Sequence, residues 1–237
     1  MELFERVKAI MFNPKEEWTI IEAENSPHVK VFAGYLLILA LIPAVAIFAG
    51  YWWTWHSAIN EAIARVSENY GNRGAGMEEV IARIKAQYPF NAKIGIINAV
   101  QPLVIILGGA YIAAAVINAF SDQFGSEKDM NRAFSLVAYS YTPVCVAGIL
   151  YIYSPLAVLV PYVGLYGLYI LYIGVESQLK PADNKKIVCF IISLIAVIAV
   201  WLILSRIVPA ITQSIMVEMA KSSTGDTLKD MQKMMPR

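Results

Sequence analysis

The amino-acid sequence predicts an all-α fold: a polytopic membrane helical bundle of five transmembrane helices, with an amphipathic N-terminal helical region and a helical first loop. Three observations predict it. Of 237 residues, 58% are hydrophobic and only 16% are charged, where a soluble domain carries about a quarter charged residues. The charges cluster and leave long uncharged stretches between them. Those stretches are long enough to cross ~30 Å of hydrocarbon, which takes about 20 helical residues.

The spans follow in order. Val31 to Asn60 contains no Lys, Arg, Asp or Glu, and its apolar part gives span one at about 31–53. Ile94 to Ser121 is charge-free and gives span two at about 97–120. Ala133 to Val175 is also charge-free, but a single helix of that length would run ~65 Å, too long for one crossing. The run folds back, with Tyr153-Ser154-Pro155 as the natural break, so spans three and four lie at about 133–153 and 156–175. Ile187 to Ser205 carries span five, at about 187–208. Lipid cannot hydrogen-bond backbone, so each crossing must be a helix, and the alternation of a membrane β-barrel is absent.

A cleaved signal peptide is the competing reading of the first run, because Ala44-Val45-Ala46 resembles a cleavage site. The acidic 30 residues before it do not resemble a short basic leader. Lys128 and Arg132 follow span two, and Lys180, Lys185 and Lys186 follow span four, whereas the turn between spans three and four has no basic residue. The positive-inside rule therefore places the N-terminus in the cytoplasm. Arg65, Arg73, Arg83, Lys85 and Lys93, in the long stretch between spans one and two, weigh little in that rule.

Residues 1–30 read as two short cytoplasmic helices. Leu3, Phe4, Val7, Ile10 and Met11 make one helical face, with Glu2, Glu5, Arg6 and Lys8 opposite. Asn13 is placed to cap a second helix, with Pro14 in its first position and Glu16 three residues after the cap. Trp18 and Ile21 then share a face. Such helices either lie along the membrane interface or pack on the loops. In the first loop, residues 54–92, Ile59, Ile63, Val66 and Tyr70 form one stripe and Val80, Ile81, Ile84 and Tyr88 another. Gly71-Asn72-Arg73-Gly74-Ala75-Gly76 separates them, which predicts a helical hairpin. Residues 209–237 form a polar C-terminal tail with a weakly amphipathic start and a mobile end.

Within the spans, Gly109 with Ala113, Ala110 with Ala114, and Gly164 with Gly167 have the spacing of close helix packing. Pro43, Pro102, Pro143 and Pro161 each remove a backbone bond and kink or break a helix. Tyr162, Tyr166 and Tyr169 follow helical spacing on span four, and Asn98, Gln101 and Asn118 lie on span two. Together they form either interhelical glue or a polar path through the bundle. No Asp, Glu, Lys, Arg or His sits in mid-span, which argues against a proton-coupled pump.

Nothing points to catalysis, a cofactor or a metal. Glu78-Glu79-Val80-Ile81-Ala82-Arg83 and His56-Ser57-Ala58-Ile59-Asn60 match two patterns of a membrane metalloprotease family, but in reversed order and without its second histidine. No HExxH, GxSxG, P-loop or GxGxxG is present. Cys145 and Cys189 lie in apolar runs, where a free thiol behaves as a small hydrophobe. With 19 basic and 18 acidic residues, the net charge of +1 offers no field for nucleic acid.

Three stretches carry a family resemblance: Phe12-Asn13-Pro14-Lys15-Glu16-Glu17-Trp18; Phe120-Ser121-Asp122-Gln123-Phe124-Gly125, leading through Asn131-Arg132-Ala133-Phe134; and Ala138-Tyr139-Ser140-Tyr141-Thr142-Pro143. In order and spacing the chain resembles the prokaryotic branch of the YIP family, membrane proteins that interact with Rab GTPases. The resemblance covers roughly 1–208. It implies a small, non-enzymatic bundle in a prokaryotic cytoplasmic membrane. The acidic Gly-Pro-containing segment of eukaryotic members is not evident. The first expectation is a protein that organises or adapts other membrane proteins, or shapes the membrane, in contact with lipids and with itself or other membrane proteins. The alternative is a conduit for a neutral solute, lipid or ion along the polar path. Asn13, Pro14, Trp18, Asp122, Gly125, Tyr139, Ser140 and Pro143 are the candidate functional positions.

Overall fold

The computed structural model describes residues 2–70 and 77–234, and among them all regular structure is helical. Two short helices come first, α1 (Leu3–Phe12) and α2 (Pro14–Glu24). Next, α3 (His28–Val31), a π-helical turn (Phe32–Leu36) and α4 (Leu37–Tyr70) form one run. The first loop holds α5 (Met77–Gln87), which packs on α4. Span two is built from α6 (Ala92–Leu103), a π-helical turn (Val104–Gly108) and α7 (Gly109–Phe120). Span three joins α8 (Met130–Ser140), α9 (Thr142–Ala147) and a 3-10 turn (Gly148–Ile152). A 3-10 segment (Ser154–Leu159) and α10 (Val160–Leu179) make span four, and α11 (Lys186–Met234) contains span five.

Five stretches are long and apolar enough to cross a membrane: His28–Glu68, Ala92–Gln123, Met130–Ile152, Ser154–Leu179 and Lys186–Met219. Tyr153, with extended backbone between two 3-10 segments, makes the break between spans three and four. The helices run past the apolar limits read from the sequence. α4 continues unbroken into the first loop, and α11 passes Pro209 and stays helical to Met234, through the stretch expected as a tail. Hydropathy marks where lipid ends, whereas a helix ends only where its own hydrogen bonds stop. The glycine-rich turn at 71–76 lies outside the described residues.

Span three is the core of the bundle. Of its most apolar stretch, 72% is buried, against 22% for spans four and five. Spans one, two and four pack on it, and span five packs on spans two and four. Small residues set the close approaches. Ala110, Ala113 and Ala114 are fully buried on the face that α7 shares with α8 and α11. A Cβ on Gly148 would fall 2.5 Å from the Pro43 ring, and one on Gly167 would fall 2.5 Å from the Ser140 carbonyl oxygen. No side chain larger than hydrogen fits at either crossing without separating the helices.

The prolines act differently from one another. Pro43 sits inside the continuous α4. Pro102 sits in the last turn of α6, two residues before the π-helical turn of span two. Pro161 is in the first turn of α10, where its missing N–H costs nothing. Pro143 is in the first turn of α9, just past the Tyr141 turn that bends span three.

Five crossings divide the connections between two ends. At one end lie the start of span one and the turns 121–129 and 180–186, which Lys185 Nζ joins by donating to the Gln123 carbonyl at 2.8 Å. At the other end lie the Tyr153 turn and the first loop, where Trp55 Nε1 donates to the Tyr88 carbonyl at 3.0 Å. Exposed Trp52, Trp53 and Tyr153 gather at that second end, as aromatic residues do at a membrane–water boundary.

Candidate functional site

The two N-terminal helices do not lie on the loops or free along an interface. They form a helical hairpin packed against the spans. α2 runs beside α10 in the same chain direction. The Trp18 Nε1 donates to the Ile170 carbonyl at 3.1 Å, the Ser177 hydroxyl donates to the Trp18 carbonyl at 3.0 Å, and Lys180 pairs with Glu22 at 2.5 Å. At the hairpin turn, the Tyr166 hydroxyl donates to the Met11 carbonyl at 2.7 Å. Measured along α10, that contact lies about 20 Å from Lys180, at 1.5 Å per residue. The hairpin therefore reaches well down the bundle.

Trp18 is the anchor. It is 1% exposed, and its ring occupies the notch left by Gly174, where a Cβ would fall 2.5 Å from two indole atoms. Its other side meets the Tyr139 ring edge-on at 5.9 Å. Tyr139 also touches Tyr35, with ring centroids 4.5 Å apart, and lies under the Arg6 guanidinium at 5.9 Å.

Arg6 is the correction to the amphipathic pattern of α1. The sequence puts it on the outer face with Glu2, Glu5 and Lys8, and puts Phe4 inside. In the structure Arg6 is 6% exposed and Phe4 is 72% exposed. Arg6 turns inward because two carboxylates await it: Glu17, itself 2% exposed, at 2.6 Å and Glu24 at 2.5 Å. Burial works against the charged guanidinium, but the Glu24 hydrogen bond and Glu17 outweigh it and hold its pKa above the ordinary value. Glu22 is held below the usual carboxylate range by Lys180, with help from Ser177 and against the opposing effect of partial burial.

The Tyr-Ser-Tyr-Thr-Pro stretch has a local physical reason. Pro143 has no N–H, so it cannot donate to the carbonyl four residues back, that of Tyr139. The Thr142 hydroxyl donates to that carbonyl instead, at 2.7 Å. Its proton spent there, Thr142 Oγ1 accepts from the Tyr35 hydroxyl at 2.7 Å. Tyr35 comes from the π-helical turn of span one, so the bend of span three is pinned to span one at fully buried Thr142. Ser140 donates to the Leu136 carbonyl at 2.7 Å, which leaves its own carbonyl under Gly167.

Asn13 joins α1 to α2, and Pro14 opens α2 as expected. The Asn13 side chain makes no capping bond; only its backbone takes part, with its carbonyl accepting from Glu17 N at 3.1 Å. Its backbone, at φ −131° and ψ 56°, departs from the extended conformation usual at a capping residue.

Asp122 and Gly125 belong to a separate turn. Gly125 adopts φ +73°, a left-handed conformation that glycine takes without strain, and Asp122 pairs with Lys128 at 2.6 Å. Asp129 caps α8 by accepting from Asn131 N at 2.8 Å and Arg132 N at 3.3 Å. Asn131 Oδ1 in turn accepts from His28 N and from His28 Nδ1, both at 2.8 Å, which requires the proton on Nδ1. The family-like loop thus ties the start of span one to span three.

The structure brings Trp18 and Tyr139 together, with Ser140 and Pro143 in the adjacent bend, and keeps Asp122 and Gly125 apart from them. It does not assemble the polar path. Gln101 Nε2 donates to Asn98 Oδ1 at 3.2 Å on span two, and the Asn118 Oδ1 is buried without a partner among the described residues. The tyrosines stand elsewhere: Tyr162 and Tyr169 are exposed on span four, and Tyr166 is taken by Met11. Tyrosines i+4 and i+7 apart share a helix face, but that face points away from the bundle axis.

Among the described residues no cluster of His, Cys, Asp and Glu could hold a metal ion. Both cysteines are buried and free. Of the metalloprotease-like residues, Glu79 pairs with Arg83 at 2.6 Å on exposed α5, and His56 stacks on Trp52. What the arrangement does chemically is hold the hairpin in place.

The residues that sequence reasoning missed are Arg6, Glu17, Gly174, Tyr35, Thr142 and His28. Two left a signal. Arg6 stands four residues before Ile10 on the buried face of α1, and a threonine just before Pro143 is placed to take over the orphaned carbonyl.

A family model described as Yip1 domain matches residues 8–204. No curated protein matches, and no solved structure matches.

Proposed function

Since this chain belongs to the Yip1 domain family, we propose that it acts as a non-enzymatic adaptor, engaging the transmembrane helices of other membrane proteins through the outer face of span four. One observation carries this reading. Val158, Tyr162, Leu165, Tyr169 and Tyr172 recur at heptad-like spacing, and all are exposed. Tyr162 is 67% exposed, and its hydroxyl has no partner among the described residues. Counting from Tyr153, at about 2.0 Å per 3-10 residue and 1.5 Å per α-helical residue, Tyr162 stands about half way across ~30 Å of hydrocarbon. A hydroxyl at that depth is poorly served by acyl chains and well served by a polar group on a neighbouring helix. The other two tyrosines continue the same stripe toward the membrane surface.

A photo-crosslinking residue at Tyr162, in native membranes, is expected to give a discrete adduct with a membrane protein or a second copy. The same residue at Ile195, exposed on span five, is expected to give lipid adducts only. Lipid adducts alone from both positions would overturn the reading.

We place the end that carries α1, α2 and the two lysine-containing loops in the cytoplasm of a prokaryotic cell, following the positive-inside rule. A membrane-impermeant thiol reagent should reach Glu127→Cys only after the membrane is opened. Labelling in intact cells would reverse the orientation.

A further inference from the structure

A second feature adjoins the cytoplasmic end of the span-four stripe, at Tyr172. Between α2, α10 and the first turns of α11 lies a cavity of about 620 Å³. We propose that it holds the phosphate of an anionic phospholipid, with Lys15 as the cation that takes it. The inference rests on this cavity alone and not on the adaptor reading.

Depth comes first. Counted from Tyr153 as before, Tyr172 stands about 30 Å across, at the second membrane boundary. Tyr172 lines the cavity and meets Phe190 edge-on at 5.0 Å, so two aromatic rings mark the hydrocarbon side. Lys180, Lys186, Glu22 and Glu176 line the other side, at the level of the headgroups. A lipid entering between α10 and α11 would place its chains along exposed Ile187 and Ile191 and its headgroup among these charges.

Charge comes second. Lys180 is paired with Glu22 at 2.5 Å and Lys186 with Glu176 at 2.7 Å. Lys15 also lines the cavity and has no ion pair among the described residues. It stands one turn deeper than Trp18 on α2, so its ammonium meets the boundary between hydrocarbon and headgroups. An unpaired lysine there is costly, and its stem lets it reach up to a phosphate. The cavity therefore has one uncompensated positive charge, which matches the single negative charge of a phosphodiester. Basic pockets between spans on the cytoplasmic side suit such headgroups.

The test uses the full-length protein in micelles with defined lipid, read by native mass spectrometry. Retention of one phosphatidylglycerol in preference to phosphatidylcholine is the expected result. Lys15→Gln should reduce that preference about fivefold, the weight of one lysine near an anionic surface. Lys8→Gln, an exposed lysine of α1 outside the cavity, should leave it unchanged. Equal retention of the two lipids, or equal loss in the Lys15 and Lys8 variants, would overturn the proposal. Displacement by millimolar inorganic phosphate with no lipid preference would also overturn it, because the site would then be one for free phosphate.

Discussion

Trp18→Ala is expected to lower the unfolding free energy by about 3–5 kcal/mol, the range for removing a fully buried large aromatic. The side chain fills the Gly174 notch, packs on Tyr139 and donates to the Ile170 carbonyl, which α10 already engages from within, so its loss leaves a cavity and one hydrogen bond fewer between α2 and α10. Filling the notch from the opposite side should be nearly as harmful. Gly174→Leu puts a side chain where the indole lies and drives α2 off α10. The two changes share one space, so together they should cost less than their sum. Reversible unfolding in mixed micelles measures all three. A loss below about 0.5 kcal/mol for Trp18→Ala, the scale of an ordinary surface change, would mean that the hairpin does not dock as described.

The second large effect is electrostatic. Arg6→Met should cost about 3–5 kcal/mol, because it leaves Glu17 charged, buried and unpaired. Glu17→Gln should cost less, since Arg6 keeps Glu24. The double change Arg6→Met with Glu17→Leu should recover most of the loss, because an apolar pair has no charge to desolvate. The same unfolding experiment decides it. If the double variant were as unstable as the two singles combined, the ion pair would not be the source of the effect.

Much of the fold was legible because a bilayer imposes one rule on every segment. The charge-free runs, and the excess length of Ala133–Val175, were enough for five helices and for the break at Tyr153. The site was legible only in part. Trp18 and Ile21 were read as one face, and both are buried. The face of α1 was misread at Arg6 and Phe4, because a periodicity argument treats every charge as solvent-seeking. The tyrosines of span four were read with the amides of span two because both are polar in apolar runs. A shared chemistry does not put two helix faces together.

By itself the sequence determined the number of crossings, their helical character and the membership of residues 8–204 in one family. Hydropathy and length are local properties, and lipid acts on each segment separately. Only the tertiary structure decided which side of α1 is inside, that the hairpin stands against span four, and that Gly174 must be glycine. Those outcomes depend on partners distant in the chain, such as the Trp18 indole and the Ile170 carbonyl, 152 residues apart. A buried charge is stable only where its counter-charges converge, and that convergence exists only after the chain has folded.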